Sequence, residues 1–87
     1  MNLQNTLRKM SEDNVEKTVK QIINVYANTA NVSDNDYIRH ILDSIDVVDM
    51  SFDVEERLGI YLEDKTFEDL SAMTVGDFIS FCKKLKS

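Results

Sequence analysis

Apolar residues recur at the three-to-four-residue spacing of an α-helix in three separate segments of this chain, and no segment alternates as a strand does. The first segment, after the candidate N-cap Ser11, predicts a helix near residues 12–28. A second helix is expected from the N-cap Asp43 to about Leu58, where Gly59 supplies the left-handed residue that commonly ends a helix. A last helix is expected after Thr74. The apolar faces of the first and last predicted helices are Val15, Val19, Ile22, Ile23 and Tyr26, and Val75, Phe78, Ile79, Cys82 and Leu85.

The segments between these helices predict one short helix and one long loop. Asp64 or Thr66 is expected to cap the short helix, which continues through Phe67 and Leu70. Residues 29–42 start with Asn, Ser and Asp residues and predict a loop, anchored by Tyr37, Ile38, Ile41 and Leu42. The chain has no proline and no internal repeat, so no linker or second domain is expected. The predicted fold is all-α, a small helical bundle of three main helices plus one short helix. It forms a single domain over residues 1–87, in which residues 1–10 add a short turn or fray.

Acidic residues are concentrated in the middle of the chain. The formal net charge is −6, but residues 34–69 alone contain twelve acidic and three basic residues. Nucleic acid is therefore not an expected partner, because phosphate contacts need Lys and Arg. At 87 residues the domain buries only roughly 60% of the surface that its unfolded chain exposes, so two lobes closing over a substrate are not expected either. Blocks of like charge are often only a solvated face, and the position of this block needs a further reason.

The cysteine count and the N-terminal sequence bear on the compartment. A single cysteine excludes an intrachain disulfide and a clustered zinc site, and Cys82 lies at core spacing, where packing is its expected role. Residues 1–8 lack the apolar run of a signal peptide, and no stretch could span a bilayer. Asp34 and Asp36 do not begin a calcium loop, because Ile38 occupies the fifth position and the turn glycine is missing. We expect a cytoplasmic protein with no membrane insertion and no metal site.

The second predicted helix carries two apolar faces and one acidic face. Successive residues lie about 100° apart around a helix. One apolar face is an ordinary core stripe, formed by Val47, Met50, Val54 and Leu58, and the other is formed by Ile45, Val48 and Phe52. The acidic stripe comprises Asp46, Asp49, Asp53 and Glu56. Either a central helix contacts neighbours on both sides, or the second apolar face receives a basic, partly apolar partner.

Ser44 follows the N-cap Asp43 at the start of this helix. A serine there lies close to free backbone N–H groups and to the positive end of the helix dipole. Such a position accommodates a phosphate or a phosphodiester, although most serines after an N-cap do no more than tolerate the site.

The sequence around Ser44 resembles that of the acyl carrier proteins. The run from Leu42 to Ile60, LDSIDVVDMSFDVEERLGI, is similar to the family's attachment motif and recognition helix. The run from Met73 to Phe78, MTVGDF, is similar to the start of the family's last helix. The spacing of the two runs and the chain length also fit. The family's fatty-acid carriers usually have a glycine two residues before the Asp-Ser pair, whereas Ile41 stands here, and this form looks closer to D-alanyl carrier proteins and some specialised carriers.

The resemblance implies a carrier protein and not an enzyme. Ser44 would carry the 4′-phosphopantetheine of coenzyme A, with Asp43 beside it, and acyl groups would be held on the thiol of that arm as thioesters. The expected partners of this monomer are a phosphopantetheinyl transferase and acyl-transferring, condensing or ligating enzymes with basic patches, in fatty-acid, polyketide or related biosynthesis. By position, the docking residues would be Ile45, Asp46, Val48, Asp49, Phe52, Glu55 and Glu56. The acyl chain would contact Phe52, Val54, Ile60 and Leu62.

A hydrolase and a helical adaptor are the alternatives to this carrier function. A hydrolase built from Ser44, His40 and Asp43 is not expected, because a small helical chain offers neither a strained nucleophile turn nor an evident oxyanion hole. A non-catalytic helical adaptor that keeps the carrier fold without the prosthetic arm stays open as the alternative.

Overall fold

The computed structural model describes residues 13–62 and 65–86, and these contain five helices and no β-strand. The helices are α1 (Asp13–Ala27), α2 (Ile38–Ile41), α3 (Ser44–Leu58), α4 (Phe67–Ser71) and α5 (Val75–Lys86). The all-α prediction and the three main helices are confirmed. The predicted loop over residues 29–42 contains a second short helix, α2, that was not expected. The segment 1–10, the candidate cap Ser11 and the candidate cap Asp64 lie outside the described residues.

The helix ends follow the capping residues. The Asp43 Oδ1 atom accepts a hydrogen bond of 2.9 Å from the Asp46 N–H, which makes Asp43 the N-cap of α3. Gly59 ends α3 in the left-handed region, with φ 67°. Thr66 caps α4, and it forms a reciprocal capping box with Asp69.

The core lies between the three main helices. On α3 it takes the predicted stripe, since Val47, Met50 and Val54 are fully buried. Helix α1 packs against both α3 and α5, whereas α4 packs against α3. Leu85, in the last turn of α5, is 41% exposed, so it is not part of the core with the other apolar residues predicted for this helix. The remaining core residues are Val15, Val19, Ile22, Ile23, Val32, Ile38, Leu42, Leu58, Ile60, Leu62, Leu70, Val75, Phe78, Ile79 and Cys82.

The long connection between α1 and α2 is held by side chains of α1. The Asn24 side chain donates a hydrogen bond of 3.1 Å to the Ala30 carbonyl and accepts one of 3.0 Å from the Val32 N–H. The Lys20 Nζ atom lies 2.9 Å from an Asp34 carboxylate oxygen. These contacts fix the loop that leads the chain towards α2 and α3.

Candidate functional site

Ser44 is the first residue of α3, and it is exposed. Asp43 accepts hydrogen bonds from two of the first four N–H groups of the helix. Its side chain accepts from the Asp46 N–H, and its carbonyl accepts from the Val47 N–H. Within the described part of the chain, the N–H groups of Ser44 and Ile45 have no acceptor. Two free donors therefore lie next to the Ser44 hydroxyl, at the positive end of the dipole of a 15-residue helix.

The N-terminus of α5 is arranged differently, although it also begins a long helix. Backbone carbonyls of the α1–α2 connection accept from its first two N–H groups: Asp36 O from Val75 N at 2.8 Å, and Asp34 O from Gly76 N at 2.9 Å. Thr74 accepts from the next two N–H groups, those of Asp77 and Phe78. The N-terminus of α5 is thus closed by the protein itself, whereas that of α3 is open at Ser44.

The second apolar face of α3 is exposed. Ile45 is 71% exposed, Val48 37% and Phe52 62%, and we refer to these three residues as the apolar strip. Their spacing of three and four residues places them on one side of the helix, opposite the buried stripe. No element within residues 13–62 and 65–86 covers the strip, so the interpretation of α3 as a helix packed on both sides does not describe this structure.

The acidic stripe is divided between α1 and solvent. The Tyr26 hydroxyl of α1 donates a hydrogen bond of 2.7 Å to the Asp53 Oδ2 atom, which turns this carboxylate towards α1. That hydrogen bond is the main reason why the pKa of Tyr26 is raised. Desolvation, followed by the charges of Asp43 and Asp49, raises the pKa of Asp46. The negative charges at the start of α3 therefore destabilise one another, and a cation brought to this surface would relieve the repulsion.

No basic side chain interrupts the acids along most of α3. The sequence has no Lys or Arg between Arg39 and Arg57, although six acidic residues lie in that interval. Asp49 and Glu56 are exposed, and their helical positions place them along one edge of the apolar strip. The predicted docking residues are thus brought together on one side of α3, as apolar side chains bordered by carboxylates.

Glu55 differs from the other predicted docking residues. Its Oε2 atom accepts a hydrogen bond of 2.7 Å from the Leu62 N–H, so one of its oxygens holds the chain segment that follows α3. That segment forms one wall of a surface groove of about 450 Å³. The groove is lined by Phe52, Glu55, Glu56, Gly59, Ile60 and Tyr61.

The predicted acyl-chain residues do not all face this groove. Phe52 and Ile60 line it, whereas Val54 and Leu62 are buried in the core, at 0% and 4% exposure. Tyr61, which is 76% exposed, is a groove residue that the sequence did not indicate. Helical periodicity could not have indicated Tyr61, because this residue lies in a short connection and not in a helix.

The remaining chemically reactive side chains are not brought to Ser44. The His40 ring contacts the Tyr37 ring, with 5.5 Å between the ring centres, and forms no hydrogen bond with Ser44. The Cys82 thiol is buried in the core, and this burial raises its pKa to about 12. In the described part of the chain, no cluster of three or more His, Cys, Asp or Glu side chains could hold a metal ion.

The described helices give no sign of a membrane-spanning segment, since none combines the required length with sufficient apolar character. Comparison of the chain with protein-family models, with curated proteins and with solved structures finds no match.

Proposed function

We propose that this chain is an acyl carrier protein whose Ser44 is esterified by 4′-phosphopantetheine. The observation that carries the proposal is the exposed Ser44 at the open N-terminus of α3, followed on the same helix by the exposed apolar strip. Ser44 offers a place for a phosphodiester, and the apolar strip offers a surface for an enzyme. The resemblance of the Asp43-Ser44-Ile45 sequence to the family's attachment motif supports the same function.

The local chemistry suits a phosphodiester on the Ser44 hydroxyl. In the transfer, the Ser44 Oγ atom forms a bond to the phosphorus that carries pantetheine, and the diphosphate bond of coenzyme A breaks. Adenosine 3′,5′-bisphosphate leaves, and the hydroxyl proton passes to a base on the transferase. The free N–H groups of Ser44 and Ile45 and the positive end of the α3 dipole offset part of the repulsion between the new negative charge and nearby Asp43.

The apolar strip and its acidic edge suit docking to basic, partly apolar enzyme surfaces. Exposed apolar area supplies affinity, whereas the uninterrupted negative charge speeds and orients the encounter. The thiol at the end of the arm holds the acyl group as a thioester, and tethering raises its concentration at each partner enzyme. The carrier therefore performs no chemistry of its own and works with enzymes of a cytoplasmic biosynthetic pathway.

The mass of the intact protein tests the attachment. After incubation of the protein with coenzyme A and a broad-specificity phosphopantetheinyl transferase, we expect a mass increase of one phosphopantetheine. Ser44→Ala should show none. Ser51→Ala is the matched control, because Ser51 lies on the same helix and its hydroxyl donates to the Val48 carbonyl at 2.7 Å. An unmodified wild-type protein would favour the adaptor without an arm.

Charge reversal tests the docking surface. Asp46→Lys combined with Glu56→Lys should lower the rate of arm transfer about tenfold at low salt, and less at high salt, because screening weakens long-range attraction. Glu68→Lys combined with Asp77→Lys makes the same change in net charge outside α3 and should have a smaller effect. Equal effects of the two double variants would show that net charge, and not the α3 surface, controls recognition.

A further inference from the structure

The surface groove at the C-terminal end of α3 combines two exposed aromatic rings with two carboxylates. Its lining includes Phe52, which is 62% exposed, and Tyr61, which is 76% exposed. Glu55 and Glu56 supply the carboxylates, and no Lys or Arg of the described chain belongs to the lining. The face of an aromatic ring is negative and attracts cations, as a carboxylate does. The lining of this groove therefore suits a positively charged group.

The chain segment that carries Tyr61 is held in place by Glu55. The Glu55 carbonyl accepts hydrogen bonds from the Gly59 N–H at 2.8 Å and from the Ile60 N–H at 3.2 Å. Its side chain accepts a third from the Leu62 N–H at 2.7 Å. The side chains on both sides of Tyr61, those of Ile60 and Leu62, are buried in the core. A ligand that contacts Tyr61 therefore does not have to order the backbone of this segment, which lowers the cost of binding.

The cations of the described chain that follow the groove in sequence do not line it. Lys86 donates a hydrogen bond to a carbonyl of α3, and the Lys65 ammonium lies over a ring of α5. Arg57 follows Glu56 on α3, about 100° further around the helix. In the part of the chain that the structure describes, the Glu56 carboxylate forms no ion pair. A cation that enters the groove from another molecule therefore does not compete with an ion pair of the described residues.

We infer that this groove receives one arginine side chain of the enzyme that docks on α3. The inference rests on the docking role proposed above, and the groove is continuous with the apolar strip because Phe52 belongs to both. A guanidinium is planar and weakly hydrated, so it stacks on the Tyr61 ring while its N–H groups donate to the Glu56 carboxylate. A hydrocarbon chain fits less well, because it would remove water from Glu55 and Glu56 without replacing the lost hydrogen bonds.

Two replacements of Tyr61 separate the aromatic face from simple apolar contact. Tyr61→Phe keeps the ring, whereas Tyr61→Leu keeps an apolar side chain without a ring. Tyr61→Leu should lower kcat/KM for arm transfer roughly 2- to 5-fold, the value of an exposed cation–π contact, and Tyr61→Phe should leave it unchanged. Glu56→Gln should lower kcat/KM more than Glu68→Gln, which makes the same change in charge outside the groove. Thermal unfolding checks that each variant is folded.

Small probes test the groove without an enzyme. The unmodified chain, labelled with ¹⁵N, is titrated at constant ionic strength with N-acetyl-arginine methylamide and with the corresponding lysine and leucine compounds. The arginine compound should shift the amide signals of residues 59–61 most, and these shifts should weaken in Tyr61→Leu. Equal shifts with the lysine compound would show that charge alone drives the contact, and they would overturn the assignment of the groove to arginine.

The two measurements keep this inference apart from the carrier function. Transfer at the wild-type rate by Tyr61→Leu, together with no arginine-specific shift, would overturn the inference while leaving the carrier function intact. A wild-type protein that gains no mass would instead overturn the carrier function, and the inference with it. The expected result is slower transfer by Tyr61→Leu, unchanged transfer by Tyr61→Phe, and shifts around the groove that the arginine compound produces most strongly.

Discussion

Phe52 and Phe78 have the same side chain in opposite environments, so replacing each with alanine separates folding from recognition. Phe52 on α3 is 62% exposed, whereas Phe78 on α5 is fully buried. A buried Phe→Ala substitution costs about 3–5 kcal/mol, because contacts are lost and a cavity stays. A domain of this length is stable by about 4–13 kcal/mol. Phe78→Ala should therefore lose much of its stability or unfold.

Phe52→Ala should change stability far less. Full burial of a phenylalanine contributes about 1.5–3 kcal/mol, so the 38% of Phe52 that is covered contributes at most ~0.6–1.1 kcal/mol. Alanine is favoured over phenylalanine in a helix by roughly 0.5 kcal/mol, which offsets part of that loss. The expected net cost of about 0–0.6 kcal/mol lowers Tm by less than about 5 °C.

For recognition by enzymes, Phe52 should matter more than Phe78. If the apolar strip docks onto the transferase, Phe52→Ala removes a central apolar side chain and should lower kcat/KM for arm transfer about 5- to 30-fold. Urea unfolding followed by circular dichroism gives the stability of each variant, and intact mass against time gives the transfer rate. A stability loss above about 2 kcal/mol in Phe52→Ala would show that the strip is packed in solution. Wild-type transfer by a folded Phe52→Ala protein would refute its role in docking.

Three further predictions concern the surroundings of the site. Asp43→Ala should lower stability by about 1 kcal/mol through loss of the α3 cap, whereas Asp43→Asn should retain most of it in thermal unfolding. Because the hydrogen bond to Asp53 raises the pKa of Tyr26, its stabilising effect is present below the usual tyrosine pKa of about 10 and is lost as pH rises above it. In urea unfolding, the stability advantage of wild type over Tyr26→Phe should therefore shrink as pH rises above about 10. Since burial raises the pKa of Cys82 to about 12, thiol reagents at pH 8 should react with it only at the rate of unfolding, and fast modification of the folded protein would contradict its burial.

The features that the sequence predicted well depend on neighbouring residues. The N-cap at Asp43 and the left-handed Gly59 act within one helical turn, so both ends of α3 were correct. The core stripe of α3 was correct because its helical spacing defines one face. Helical spacing could not show whether another helix covers Phe52, since that depends on which faces of α3 the other helices contact.

The features that were missed depend on contacts between distant segments. Helix α2 has only four residues, too few for a periodic pattern, and the Met73 carbonyl accepts from the N–H of its first residue. The Tyr26–Asp53 hydrogen bond joins residues 27 positions apart, and it turns towards α1 a carboxylate that helical spacing had placed in the acidic stripe. Residue spacing assigns a side chain to a face of its own helix, but a neighbouring helix decides whether that side chain is available.

The same distinction explains why Ser44, and not the start of α5, is the better place for a phosphodiester. Both helices begin after a residue with a good capping side chain, so their sequences make their N-termini look alike. At α5, carbonyls of Asp34 and Asp36 occupy the first two N–H groups, and a Cβ atom added at Gly76 would lie 3.2 Å from the Asp34 carbonyl oxygen. A phosphate there would have to displace hydrogen bonds that hold the loop after α1. At α3 the phosphate would meet the N–H groups of Ser44 and Ile45, which have no acceptor in the described chain. It would therefore replace only hydrogen bonds to water.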